Sequence, residues 1–189
     1  MPLRISFNLG DADLQHFEAV TQQTQASARE LSAEAIIAAA RAVLQSAEGS
    51  HAAAFVQERF ARLQSLIAMT TDPDWLLSEE DSRRLLNALA CFSVPPTAPV
   101  SVGLLDHAIM IELVSRDLEH DLQAYRDFCE FRESHLRDRR RPGTEQDTQR
   151  EEWLKQRRET LQTRMHARRK RTLDAAGSSV RRLFSLFGL

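Results

Sequence analysis

Apolar side chains recur at three- and four-residue steps along most of this chain, and that period restricts its fold more than any other feature. Ile36, Ala39, Ala40 and Val43 form one such stripe; Val56, Phe60, Leu63 and Ile67 form a second. Leu85, Leu86 and Leu89 make a third, and Ile111, Val114, Leu118, Leu122, Tyr125 and Cys129 a fourth. This is the signature of helices that each bury one face. Only Arg4-Ile5-Ser6-Phe7-Asn8-Leu9 alternates as a strand does, and it is too short and isolated to found a sheet. It reads as an extended arm that packs Ile5, Phe7 and Leu9 on the helices. Six Gly and six Pro in 189 residues are too few for a turn-rich all-β fold. The expected fold is all-α: a bundle-like domain of about five helices over residues 1–140, then a basic helical extension over 141–189 that ends in a short amphipathic helix.

Capping residues and breakers divide the pattern. Asp11 or Asp13 caps a helix to about Gln25 that turns Leu14, Phe17 and Val20 inward. Ser32 caps a second helix over Ala33 to Ala47, Gly49 follows it, and Ser50 caps a third. Thr71-Asp72-Pro73-Asp74 interrupts the chain, and Ser78 with Asp81 resembles a capping box that opens a fourth helix. Pro95, Pro96 and Pro99 force an extended crossing. Past Gly103 the periodicity predicts one long helix to about Arg140, with a second boundary at Arg141-Pro142-Gly143. From Glu145 to Ala176 the only large apolar residues are Trp153, Leu154, Leu161, Met165 and Leu173. So polar a helix either stands in solvent or lies antiparallel on the one before it.

The formal net charge of −2 conceals a division. Residues 1–125 hold 8 Arg against 17 Asp/Glu, a net of −9, whereas residues 126–189 hold 17 Arg/Lys against 10 Asp/Glu, a net of +7. Two cysteines exclude a disulfide scaffold and read as free, half-buried thiols of a reducing compartment. The N-terminal residues show no secretory apolar run, and the most apolar stretch, Val102 to Val114, is interrupted by Asp106, His107 and Glu112. The expectation is a bacterial-type cytoplasmic protein, peripheral to the inner membrane.

Motifs for chemistry are sparse. The chain has no Gly-rich phosphate loop, CxxC, HExxH or nucleophile elbow. Asp13/His16 and Asp117/His120 each place a carboxylate and an imidazole one helical turn apart, but no supporting Glu pair completes a di-iron set, so no metal is expected there. Asp106 and His107, just after the proline-rich crossing, are the weak candidates for a cation-binding or hydrolytic site; Asp106 also suits a helix start. Neither a nucleophile nor a substrate pocket accompanies them, so no catalytic residue and no cofactor is assigned. The Glu112/Arg116 and Asp117/Asp121 spacings read as helix-surface pairs, attractive and repulsive respectively.

Gly103-Leu104-Leu105-Asp106 and the following Ala108-Ile109-Met110-Ile111-Glu112-Leu113-Val114, with Pro96 upstream, resemble the YkvA-like family, a bacterial domain of unknown function. The family hallmark reads Ile-Pro-Asp-x-Ile-Pro, two residues, then Gly-x-Leu-Asp-Asp. Thr97, Val100 and His107 replace its first Asp, second Pro and last Asp. The likeness spans Asn87 to Arg132, and Ser65 to Met69 and Asp127 to Arg132 look like segments of longer members. It implies no activity, since none is established for the family. Many shorter members are regarded as membrane-associated.

The basic extension offers the clearest binding surface. Residues 157–182 contain nine Arg/Lys, among them Arg168, Arg169, Lys170, Arg171, Arg181 and Arg182, against Glu159 and Asp174. Val180, Leu183, Phe184 and Phe187 then recur at helical spacing opposite Arg181 and Arg182, the pattern of an interfacial membrane helix. An anionic membrane surface or a protein partner fits this end; alternatively, it folds back on the acidic domain. Binding of nucleic-acid backbone by the Arg-rich arm is disfavoured, because the arm lacks interleaved aromatics and the domain is acidic.

Overall fold

The computed structural model describes residues 10, 30–47, 53–93, 100–137 and 144–175. Among these the protein is all-α, with six helices and no strand. They are α1 (Ala33–Ala47), α2 (Ala54–Thr71), α3 (Glu79–Ala90), α4 (Val100–Asp117), α5 (Glu119–Arg137) and α6 (Thr144–Ala175). The extended arm, the helix of Leu14, Phe17 and Val20, Gly49, Ser50, Pro95 to Pro99, Arg141 to Gly143 and the terminal stripe from Val180 lie outside the described residues.

The sequence signals act locally as their chemistry requires. The Ser32 Oγ accepts from the Ala35 N–H at 3.3 Å, opening α1, which buries Ile36, Ala40 and Val43 and half-buries Ala39 at the stripe's edge. The α2 helix starts at Ala54, where Ala53 takes the cap position without a side-chain bond, so the N-terminus is not capped by a hydroxyl. It ends at Thr71 because Pro73 forces Asp72 into an extended conformation (φ −76, ψ 113). Ser78 caps α3: its Oγ accepts from the Asp81 N–H at 3.1 Å and its hydroxyl donates to the Asp81 Oδ2 at 2.7 Å.

The α2 helix is the centre of the bundle and packs against α1, α3, α4 and α5. Its Leu63 and Leu66 meet Leu85 and Leu89 of α3 and Ile111 and Val114 of α4 in one fully buried core. Each such side chain contributes about 1.5–3 kcal/mol by leaving water.

One finding departs from the sequence reading. The single long helix expected past Gly103 is two helices, interrupted at Leu118. Ladder bonds still cross the interruption, from the Leu118 N–H to the Val114 carbonyl (3.1 Å) and from the Leu122 N–H to the Leu118 carbonyl (2.9 Å). Between them the Arg84 guanidinium of α3 donates to the Asp117 carbonyl at 2.9 Å. A side chain inserted at a ladder acceptor is a recognised cause of a kink, and periodicity is blind to it because the apolar stripe runs through unbroken.

Of the two placements open to α6, about 48 Å long by its residue count, the structure shows the packed one. The helix lies along α5 with His120 against Thr172 and Arg157 over Phe131, so the two run antiparallel. Leu154, Leu161 and Met165 enter the same core as α2 to α5, so the helix beyond residue 140 is part of the packed body.

Candidate functional site

The turn between α2 and α3 is where α6 is gripped. Trp75 is fully buried there, edge-on to Tyr125 (5.6 Å between ring centroids) and tilted against Phe128 (5.1 Å). Leu76 follows with a φ of 44, a left-handed conformation unfavourable for a residue with a Cβ. The carbonyls around it are all taken by α6: Arg158 donates to that of Asp74 at 2.9 Å, and Gln162 to those of Trp75 (2.9 Å) and Leu76 (3.3 Å). From α5, Arg132 pairs with Asp72 and Asp74, and the Tyr125 hydroxyl donates to Asp72 at 2.9 Å. Burial, with the Asp72 carboxylate beside it, pushes the Tyr125 phenol well above its usual value.

A second set of contacts is ionic and buried. Asp81 and Asp121 are each 2% exposed and Arg84 is 8% exposed. The Asp81 Oδ1 accepts from Arg169 of α6 at 2.8 Å, and its Oδ2 meets the His166 Nε2 at 2.9 Å. Arg84 donates to the Asp121 Oδ1 at 2.8 Å, which also lies 3.6 Å from the Arg169 Nη1. The charges alternate: Asp81, Arg169, Asp121, Arg84. Burial by itself raises the Asp81 carboxyl, but Ser78, Arg169 and His166 outweigh it and hold the pKa below the ordinary aspartate value. Burial lowers the Arg84 guanidinium, against the pull of Asp121.

This network corrects the surface pairs expected from sequence. Asp121 is not a repelled surface neighbour of Asp117 but a buried partner of Arg84. Glu112 pairs with Arg59 (3.1 Å) and Arg62 (2.9 Å) of α2 and not with Arg116. Intrahelical spacing shows which charges could meet on one helix, whereas a neighbouring helix offers shorter, less hydrated partners. A signal was present: Arg84 falls beside Leu85 and Ala88, and Asp121 beside Leu118 and Leu122, on stripes that are otherwise apolar. A charge at such a position needs a buried partner.

Asp117 is the uncompensated member. Its Oδ2 is buried with no hydrogen-bond partner among the described residues, and burial raises its pKa from 3.8 to about 6 against the attraction of Arg84 and Arg116. Between those values the folded chain holds a proton that the unfolded chain has lost, so stability falls as pH rises through this window. Asp81 acts in the opposite sense, its contribution being lost as pH falls below the ordinary aspartate range. Asp117→Asn is therefore expected to stabilise the protein by on the order of 1–2 kcal/mol at pH 7.5 and by little at pH 4. Urea midpoints at the two pH values check this.

The residues singled out in the sequence fall into separate places. Asp106 is exposed, whereas His107 is buried, its ring 6.4 Å from that of Phe92. Burial lowers the imidazole pKa, with Asp106 opposing. Consecutive on a helix, the two differ in burial, one side chain in solvent and the other in the core. Among the described residues no group of three or more His, Cys, Asp or Glu could hold a metal ion. Arg169 is spent inward on Asp81 and Asp121, while Arg168, Lys170 and Arg171 stay exposed. Arg181, Arg182, Val180, Leu183, Phe184 and Phe187 lie outside the described residues.

With Arg164, the exposed Arg168 and Arg171 stand at i, i+4 and i+7 on one flank of α6, none with a carboxylate in ion-pair range among the described residues. No described helix is long and apolar enough to cross a membrane. Compared with family models, curated proteins and solved structures, the chain matches none.

Proposed function

We propose that this protein is a non-enzymatic docking module that binds an anionic membrane surface through the outer flank of α6 and the amphipathic segment that follows it. The observation that carries the reading is the division of labour on α6. Leu154, Leu161, Met165 and Arg169 attach the helix to the bundle, leaving Arg164, Arg168 and Arg171 exposed along one flank with no carboxylate in ion-pair range among the described residues. Near an anionic surface each cation contributes about 1 kcal/mol. Each Leu or Phe of the terminal stripe adds at most about 1.5–3 kcal/mol if buried among acyl chains. Together these exceed the marginal binding of one myristoyl chain. The resemblance to the YkvA-like family supports the same reading, since many of its shorter members are regarded as membrane-associated.

The full-length protein is expected to co-sediment with vesicles containing phosphatidylserine and not with phosphatidylcholine alone. Deleting residues 177–189, or replacing Arg164, Arg168 and Arg171 together by Gln, is expected to weaken this binding at least about tenfold. Unchanged binding in both variants overturns the proposal. Preferential release by a short oligonucleotide overturns it in favour of nucleic-acid backbone.

A further inference from the structure

Beside the Trp75 turn, and sharing Tyr125 with it, α2 and the α4–α5 pair enclose a groove of about 540 Å³. That is the size of a small-molecule site. Three guanidiniums line it: Arg62 from α2, Arg116 at the end of α4 and Arg126 from α5. Such a gathering is unexpected in a domain whose first 125 residues carry a net of −9.

The cations are unequally engaged. Arg62 is bound to Glu112, which Arg59 also neutralises, so this carboxylate in the groove does not repel an anion. Arg116 has no carboxylate within ion-pair distance among the described residues, and Arg126 makes only a long 3.5 Å contact to the Gln123 amide. Positions 116, 119, 123 and 126 recur at three- and four-residue steps, which keeps both arginines on the face that lines the groove.

A second observation is independent of charge. Ser115, 3% exposed, lines the groove with its Oγ buried and no hydrogen-bond partner among the described residues. Ser65 on the facing wall, and Thr70 nearby in sequence, spend their hydroxyls on carbonyls one turn back (3.0 and 2.8 Å). Buried hydroxyls in folded proteins are normally paired, so an open one at the wall of a polar groove points to a ligand atom. Glu119, also in the lining, is an acceptor without a partner among the described residues.

We infer that the groove binds a small phosphorylated, hydroxyl-bearing molecule, of the size of a sugar phosphate or nucleoside monophosphate. Arg116 and Arg126 neutralise its phosphate, because two open guanidiniums match a dianion better than a single carboxylate. Ser115 donates to the bound molecule, and Glu119 accepts from one of its hydroxyls. This site is separate from the α6 flank and does not depend on the membrane reading.

Thermal unfolding and calorimetry of the full-length protein test it, with glucose 6-phosphate and adenosine monophosphate as probes and glucose and sodium chloride at matched ionic strength as controls. A saturable rise in Tm is expected with a phosphorylated probe and not with either control. Arg116→Gln should weaken that binding about tenfold or more, since it removes a charged hydrogen-bond partner. Ser115→Ala should weaken it less, and Arg164→Gln, on the α6 flank, should leave it unchanged; circular dichroism confirms that each variant is folded. No saturable shift with either phosphorylated probe overturns the inference, as does an equal loss in Arg164→Gln, which would mark diffuse attraction to surface cations.

Discussion

Arg84→Ala is expected to lower the free energy of unfolding by about 3–5 kcal/mol, the scale of breaking a buried ion pair by removing one partner. The loss has two sources. Asp121, 2% exposed, keeps only Arg169 at 3.6 Å as an ion-pair partner among the described residues, so a carboxylate taken out of water loses its 2.8 Å partner. The Asp117 carbonyl at the α4–α5 interruption loses its donor as well. Equilibrium urea unfolding gives the number. The pair Arg84→Met with Asp121→Leu is expected to recover most of it, because removing both charges leaves neither one buried alone. That double variant separates the cost of an orphaned charge from any net value of the ion pair. If the double variant is as unstable as the single one, the guanidinium stabilises chiefly through the kink, not through Asp121.

Trp75→Ala is expected to cost about 3–5 kcal/mol, by cavity formation and loss of the ring contacts to Tyr125 and Phe128. For a chain of this size that corresponds to a Tm lower by roughly 10 °C. The consequence should extend past the cavity. Trp75 anchors the turn whose carbonyls receive Arg158 and Gln162, and its packing helps hold Leu76 in a left-handed conformation. Once the anchor is gone the turn can relax, and α6 loses acceptors over its middle turns. Hydrogen exchange is therefore expected to accelerate across residues 154–169, which hold the turn's carbonyls, more than across α1. Equal acceleration in α1 and α6 would show global loss of stability without local release of α6.

Much of the fold was legible because it is local chemistry. Ser32, Ser78 and the Asp72-Pro73 break act within a few residues of themselves, and the apolar stripes of α1, α2 and α3 report a buried face whatever covers it. The interruption at Leu118 was not legible, since its cause is a side chain 34 positions earlier in the sequence. The docking of α6 was only half legible. Three apolar residues signal a contact, but Arg158, Gln162, His166 and Arg169 carry as much of the attachment, and polar residues on a polar helix give no periodic contrast. For the same reason Arg168 and Arg169 are equivalent in the sequence and opposite in the protein.

By itself the sequence determined that the chain is helical, where most helices begin and end, and that its charge is divided into an acidic body and a basic C-terminal part. These follow from backbone sterics, capping and a period of 3.6 residues, all set by near neighbours. Only the tertiary structure decided which charges are spent and which are left over. Asp81 meets Arg169 across 88 residues, Asp121 meets Arg84 across 37, and Arg116 and Arg126 are left facing a groove. A charge stripped of water needs a partner to offset the cost, and burial is a property of how helices pack, which no single helix encodes.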